Sequence, residues 1–407
     1  MKIFGNHDEQ TIRQIQDVAA RSQTAALMAD GHVGYVMPIG GVAGYRDQVS
    51  VVGVGFDIAC GNAAIRTDRT LADFGDDPAA QRETFTVLAD EIADTISFGI
   101  GRKNLADDAP VDHPLFDDAA WDAVPRRERQ GLRAKARGQL GTVGSGNHYV
   151  DVFADETGTL WVGVHFGSRG FGHSIASAFL SLGQGKGWGE RVPEREVLLD
   201  LGAPIGHDYW ELMSLAGRYA YAGREWVARK VVSLMGAREV ELVHNHHNFA
   251  WREKHEGEQL VVVRKGATPA FPGQRGFIGG SMGDDAVIVE GVTPPADSPL
   301  AATQRAALYS TIHGAGRVMS RTQAAGKRNR KTGAVIAPGR VDDAMMRAWL
   351  KEKQVILRGG GLDESPHVYR RLPDVLAAQE NTVEVLHTLR PLVVVMAGAD
   401  EFDPYKD

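Results

Sequence analysis

The sequence predicts an α+β protein organised as one domain over residues 1–407. Two observations carry that reading. Apolar β-branched runs and helical periods follow one another without the regular βα rhythm of a doubly wound sheet. Glycine clusters recur from residue 30 to residue 317 with no linker-like stretch between them, and no internal repeat is found. The chain has 48 glycines, well above the ordinary usage of ~7%. Glycine turns at strand ends suit a site lined by loops, because backbone without a Cβ takes φ > 0 and approaches a ligand closely.

In chain order, helical periodicity predicts a first helix over Gln10–Ala29, and the β-branched run Val49–Val54 reads as a strand. A helix follows over Gln81–Ile96, a surface excursion over Asp107–Val124, a strand over Leu160–Val164, and helices over Ser174–Leu182 and Tyr209–Met235. Strands are expected at Leu260–Val263 and Ala286–Val289, and a second excursion at Val292–Ala302. The last helices are expected over Leu300–Ala325 and Val341–Lys353.

Composition narrows the class. The 43% hydrophobic fraction supports a sizeable core. No apolar run approaches the ~18 residues of a membrane span, and the start MKIFGNHDEQ lacks the basic and apolar regions of a signal peptide. The expected compartment is the cytoplasm. The single cysteine, Cys60, forms no internal disulfide; it is a buried apolar residue, a reactive thiol or a metal ligand. The net charge of −7 gives no global sign of a nucleic-acid partner. Two local clusters oppose it: Arg126 to Arg137, with six basic residues and one acid, and Lys327, Arg328, Arg330 and Lys331. These permit an anionic partner or are solvated faces.

The chemistry-bearing residues sit in the glycine turns. Asp57 and Cys60 stand as D-x-x-C in VGVGFDIACGN, a spacing at which one turn can aim both side chains at a point. His148 ends GTVGSGNH, His165 opens HFGSRG, and a third group lies in VHNHHNFAW. Imidazole, carboxylate and thiolate together form a borderline donor set suited to Mn, Fe, Co or Zn rather than Mg or Ca, and a thiolate can bridge two ions.

Eight ordered blocks make the chain resemble the RtcB family of RNA ligases over nearly its whole length. They are D-G-H-x-G-Y with P-I-G-G-V at Asp30 to Val42, G-x-D-I-x-C-G at Gly55 to Gly61, G-T-x-G-S-G-N-H at Gly141 to His148, and H-x-G-S-R-G at His165 to Gly170. H-H-N at His246 to Asn248, R-K-G-A-T at Arg264 to Thr268, G-S-M-G at Gly280 to Gly283 and H-G-A-G-R at His313 to Arg317 complete the series. The resemblance implies mixed β-sheets flanked by helices around a deep metal and nucleotide cleft. It implies GTP and two Mn2+ ions, and RNA 3′-phosphate or 2′,3′-cyclic phosphate ends joined to 5′-hydroxyl ends, as in tRNA halves, with an archease-like activator as a further partner.

Residue by residue, the resemblance makes His313 the guanylylated nucleophile. Cys60 would bridge the two ions, with Asp57 and His148 on one and His165 and His247 on the other. Asn147, Asp151, Asn248, Gly280, Ser281, Met282, Gly314, Ala315, Gly316 and Arg317 fall in nucleotide-contacting blocks, Asp151 standing where members usually carry glutamate. Asp30, Arg169, Arg264, Lys265 and Arg321 are candidates for phosphate or RNA contact. The pattern departs near the nucleotide. The usual terminal K-G reads as LVVVMAG, with Ala397 at the lysine position, and Lys406 in the following ADEFDPYKD could fold back to replace it. Pro269, Gly279 and Ala286 depart from the family's residues, and the connection to His313 carries an inserted VTPPADSPLAA. These changes leave open an alternative, a metal-dependent phosphatase or nucleotidyl end-capping enzyme that no longer seals.

Overall fold

The computed structural model describes residues 1–328, 335–399 and 401, and its elements are mixed α and β as the sequence predicts. The chain opens with β1 (Lys2–Ile3), α1 (Glu9–Ala19), β2 (Thr24–His32), β3 (Ile39–Tyr45), β4 (Gln48–Ser50), the one-turn α2 (Val51–Val54) and β5 (Gly61–Thr70). Helices α3 (Pro78–Thr95) and α4 (Arg126–Gln139) precede β6 (Tyr149–Ala154), β7 (Thr159–Phe166), α5 (Arg169–Gly183), β8 (Leu198–Asp200) and the long α6 (Pro204–Leu234). Strands β9 (Glu239–His246), β10 (Asn248–His255), β11 (Glu258–Lys265), β12 (Ala267–Pro269), β13 (Arg275–Ile278) and β14 (Ala286–Gly291) run almost without interruption. After α7 (Pro299–Ala306) come β15 (Ser310–Ile312), α8 (Arg321–Ala325), β16 (Lys327–Arg328), β17 (Val335–Ala337), α9 (Asp343–Glu352), β18 (Ile356–Arg358), α10 (Leu372–Ala378) and β19 (Val383–Met396).

Two sheets organise these elements. An eight-stranded sheet runs β13-β14-β19-β6-β7-β5-β9, with β18 paired in parallel to β19, and a five-stranded sheet runs β1-β2-β3-β11-β10. On the larger sheet, Val150, Val152, Val162, Val164 and Val393 pack against Phe85, Leu88 and Ile92 of α3 and Val227 and Val231 of α6. Further along α6, Leu212, Ala216 and Tyr219 join Ile175 and Phe179 of α5 in a second apolar cluster. One long helix therefore ties the sheet to the helical layer.

Five expectations are corrected. The first helix stops at Ala19, and residues 24–32 form β2 between β1 and β3. That strand is buried along both faces, so its unbroken apolar run carries no two-residue period to distinguish it from a helix. The strand expected over Val49–Val54 ends at Ser50, whose hydroxyl accepts the Gly53 N–H and starts α2 against the β preference of the valines. The helix expected over Leu300–Ala325 is broken: α7 ends at Ala306, Leu308 and Tyr309 take φ of 52° and 46°, and β15 delivers the 313–317 loop. The excursion over Asp107–Val124 instead inserts Leu115, Phe116, Trp121 and Val124 into the core through two 3-10 turns, and the one over Val292–Ala302 ends in α7.

Candidate metal and nucleotide site

Antiparallel pairing assembles the site. Strands β5 and β6 begin, and β7 and β9 end, at the same margin of the large sheet, with Asn62 and Tyr149 both opposite His165 and Gly61 opposite His246. Cys60 precedes β5, His148 precedes β6, His165 lies near the end of β7, and His247 joins β9 to β10. Four ligand-type side chains far apart in sequence therefore converge without a dedicated loop. Asp57 enters from the turn after α2, where Gly167 packs so tightly against its carboxylate that a Cβ would collide.

The donor atoms form two groups that share Cys60: Asp57, Cys60 and His148, and Cys60, His165 and His247, the atoms of each within 4.8 Å of one another. Cys60 Sγ lies 3.7 Å from His148 Nε2 and 3.3 Å from His165 Nε2. His148 Nε2 is 3.1 Å from Asp57 Oδ2, and the Nε2 atoms of His165 and His247 are 3.3 Å apart. The outer nitrogens explain why this suits a cation. His148 Nδ1 faces the Val143 carbonyl at 2.9 Å and His165 Nδ1 faces that of Asn147 at 3.0 Å, so each ring donates its Nδ1–H there and aims Nε2 inward. The Nε2 atoms then face a carboxylate, a sulfur and another imidazole, a donor set that could hold a metal ion. Burial pulls the His165 imidazolium down to about 3 and that of His247 well below its ordinary range, keeping both neutral as ligation requires. Burial, and then Asp57, push the Cys60 thiol well above its usual range, so a cation is needed to make it a thiolate.

Behind the cluster stands Arg224, a fully buried residue of α6 that sequence reading missed. Its Nη1 donates to the carbonyls of Ala59 at 2.9 Å and Phe166 at 2.5 Å, the residues next to Cys60 and His165, while Nε and Nη2 reach His244 and His246. An arginine inside the apolar stripe of YAYAGREWVARKVV was the available signal.

His313 follows β15 and meets the His247 ring at a centroid distance of 4.9 Å. Asp30 holds it. One carboxylate oxygen of this fully buried β2 residue lies 2.6 Å from His313 Nδ1 and accepts the backbone N–H groups of His313 at 2.9 Å and Gly314 at 3.3 Å. With Nδ1–H committed to Asp30, Nε2 is the ring nitrogen left for chemistry. Gly316, at φ 73°, crosses so close to the Asp30 carbonyl that only glycine fits.

These groups line a cleft of about 260 Å³. Asp57, Cys60, His148, His165 and His247 share its wall with Asn147, Asp151, Asn248, Gly280, Ser281, Met282, His313, Gly314, Ala315, Gly316 and Arg317. His32, Tyr149, Glu364 and Tyr369 also line it, and the sequence reading did not name them. Ser281 donates to Asp284 Oδ2 at 2.7 Å and Asn248 Oδ1 accepts the Gly266 N–H at 2.7 Å. Asp151 Oδ1 and the Tyr149 hydroxyl are buried with no partner among the described residues, and burial raises the Asp151 carboxyl well above the carboxylate range.

The phosphate candidates are placed elsewhere. Arg264 is fully buried, paired through two nitrogens with Glu253 at 2.6 and 3.1 Å and bonded to Ser310 and Leu308. Lys265 donates to the carbonyls of Tyr35 and Val52, and burial lowers its ammonium to about 8. Arg321 is paired with Asp363 and Glu364, and Arg169 donates to Thr142 and Gly99. None of these four lines the cleft, and Asp30, also absent from its wall, is bonded to His313. Arg317 does line it, braced by Glu364, Tyr369 and the Asp363 carbonyl. Lys406 lies outside the described residues.

Comparison with known proteins agrees with the geometry. The family described as tRNA-splicing ligase RtcB matches residues 11–397. The chain is similar to the RNA-splicing ligase RtcB of Escherichia coli K12, with 31% identity over 391 residues covering 91% of this chain and 89% of that protein. It is similar also to the tRNA-splicing ligase RtcB of Archaeoglobus fulgidus, with 30% identity over 469 residues covering 95% and 91%. With a carboxylate-held histidine meeting two donor groups that share one cysteine, and a family match over residues 11–397, the chain belongs to the RtcB family of tRNA-splicing ligases.

Proposed function

We propose that this chain is a GTP- and Mn(II)-dependent RNA ligase that joins RNA 3′-phosphate or 2′,3′-cyclic phosphate ends to 5′-hydroxyl ends in tRNA splicing or RNA repair. The observation that carries the reading is the Asp30–His313 pair set against the His247 end of the metal-ligand cluster. Asp57, Cys60 and His148 would hold one ion and Cys60, His165 and His247 the other. Bound there, the ions supply Lewis-acid neutralisation of phosphate charge. The reading takes residues 1–407 as one catalytic domain in the cytoplasm; among the described residues no helix is long and apolar enough to cross a membrane.

His313 does the covalent work. Its Nε2 lone pair attacks the α-phosphorus of the substrate GTP, the N–P bond forms, and the bond to the β-phosphate oxygen breaks as pyrophosphate leaves. Asp30 holds the Nδ1 proton and stabilises the positive charge that the ring acquires. An oxygen of an RNA 3′-phosphate then takes the guanylate from His313, restoring the neutral ring. A 5′-hydroxyl attacks the RNA phosphorus, GMP leaves with the electron pair, and the hydroxyl proton is released. A cyclic phosphate is first opened by water. Asp151 and Ser281 line the cleft where the guanylate would rest, and Arg317, braced on Glu364 and Tyr369, offers a fixed cation to phosphate.

The test is label from α-labelled GTP retained on denatured protein in Mn(II), with His313→Ala beside it. Label on the parent alone supports the histidine guanylate; no label with any metal or nucleotide overturns it. Ala397, which follows the cleft-lining Met396 and stands where the family's lysine is expected, favours the end-capping enzyme as a second reading. That reading predicts guanylate on RNA 3′ ends without joined product. Purified archease added to the joining assay tests the partner expectation.

A further inference from the structure

The arginine run of α4 has no part in the mechanism above. Arg126, Arg129, Arg133 and Arg137 recur at helical spacing on one face and, with Gln130 and Ala134, form a groove of their own. Such a row of like charges destabilises a helix unless counter-charges answer it. Few do. Arg129 pairs with Asp122 at 2.6 Å, while Arg126, Arg133 and Arg137 have no carboxylate partner among the described residues. Two of the forks are nevertheless fixed: the Arg133 guanidinium lies 5.2 Å from the Trp121 ring centre and that of Arg137 5.1 Å from Phe116, both rings being core residues. Their Nε atoms are buried without a hydrogen bond. Stacking holds the planes in place and leaves the charges unanswered.

Position adds a direction. Residues four apart on a helix are roughly 6 Å apart along its axis, of the order of the step between neighbouring phosphates on an RNA strand. The C-terminal end of α4 runs directly into the loop 141–147 that delivers His148. Beside that junction, Lys135 reaches Ser174 at 3.3 Å and the Arg169 guanidinium packs on Gly144. The basic row therefore leads toward the metal cleft. Among the large apolar side chains of α4, none is exposed for insertion into a bilayer.

We propose that the Arg126, Arg129, Arg133 and Arg137 face of α4 is a track for the sugar-phosphate backbone of the RNA whose end enters the cleft, a proposal that rests on the ligase reading. Guanidinium forks would hold phosphate oxygens without regard to base, so the track gives affinity and direction but no sequence preference.

The experiment measures binding of a fluorescent single-stranded RNA 20-mer bearing a 3′-phosphate across a range of KCl, with guanylate labelling in parallel. The variants are Arg133→Gln/Arg137→Gln and, since those side chains stack on the core, also Arg126→Gln/Arg129→Gln; Arg13→Gln/Lys254→Gln is an equal-charge control. The track predicts that each α4 pair lowers RNA affinity about tenfold at moderate salt and reduces the slope of log affinity against log salt by about 1.4. Guanylate labelling and the control's RNA binding stay at the parental level. Unchanged RNA affinity in both α4 pairs, or an equal loss in the control, overturns the proposal. So does arginine-dependent binding to phosphatidylserine vesicles with RNA affinity intact. Absence of guanylate on every chain, with the α4-dependent RNA loss retained, would sink the ligase reading and leave the track standing.

Discussion

The two halves of the cleft are built differently. On the metal side, His148 and His165 are braced from behind by backbone carbonyls and the residues flanking Cys60 and His165 are tied by Arg224. Around β6, residues 279–282 and the end of β19, the Tyr149 hydroxyl and Asp151 Oδ1 are buried without partners among the described residues. Two of the three metal-side histidines satisfy their outer nitrogens within the protein, His247 Nδ1 being the exception among the described residues, whereas the other side leaves both the Tyr149 hydroxyl and an Asp151 oxygen open. A site whose ligands are fixed by sheet register loses function abruptly when one is changed. A pocket with unspent hydrogen-bonding capacity tolerates change and shifts preference.

Breaking the shared atom should have the largest effect. Cys60→Ala removes a donor from both groups at once, so Mn(II) bound per chain, measured by elemental analysis after desalting, should fall at both sites together, and labelling by GTP should disappear. Retention of one tightly bound ion would show that the two groups are independent. Next comes the histidine's anchor. Asp30→Asn keeps a similar shape but loses the charge that accepts the Nδ1 proton, so single-turnover guanylylation should slow about 100-fold or more with Mn(II) binding unchanged. A rate within a factor of three of the parent would deny Asp30 that role.

The metal side can also be loosened from behind. Arg224→Met leaves the carbonyls of Ala59 and Phe166 without a buried donor, and unpaired groups of this kind cost about 1–3 kcal/mol each. Urea unfolding should register that loss, and Mn(II) affinity should fall about 10- to 100-fold. Destabilisation with full metal affinity would make Arg224 a core residue and nothing more.

How much of this could be read from the sequence differs between the same two halves. The residues of the two donor groups were legible because each sits in a glycine or asparagine turn, and the sole cysteine lies in one. The role of Asp30 was hidden, since its hydrogen bond to His313 spans 283 residues and exists only once β2 and β15 are brought together. The pairing of Arg264 and Arg321 was hidden for the same reason: their carboxylate partners, Glu253, Asp363 and Glu364, become neighbours through folding. A basic residue in a motif shows its charge but not its partner. The helix expected through residue 29 failed because a strand buried on both faces has no polar face to set a period.

Asp151 sharpens the contrast with the smallest change. Burial raises its folded-state pKa above the unfolded value of about 3.9, so the unfolded chain releases its proton first as pH rises. Its contribution to stability is therefore fully present below that value and diminishes above it, until the folded carboxyl also titrates. Asp151→Asn does not titrate. The variant should match the parent near pH 4 and become the more stable of the two toward pH 7 in thermal melts of nucleotide-free protein. Nucleotide should reverse the order, since a donor on the ligand would meet the carboxylate oxygen that now lacks a partner. If GTP stabilises the asparagine variant as much as the parent at every pH, the unpartnered oxygen is not waiting for the nucleotide, and the tolerant half of the cleft holds its guanylate elsewhere.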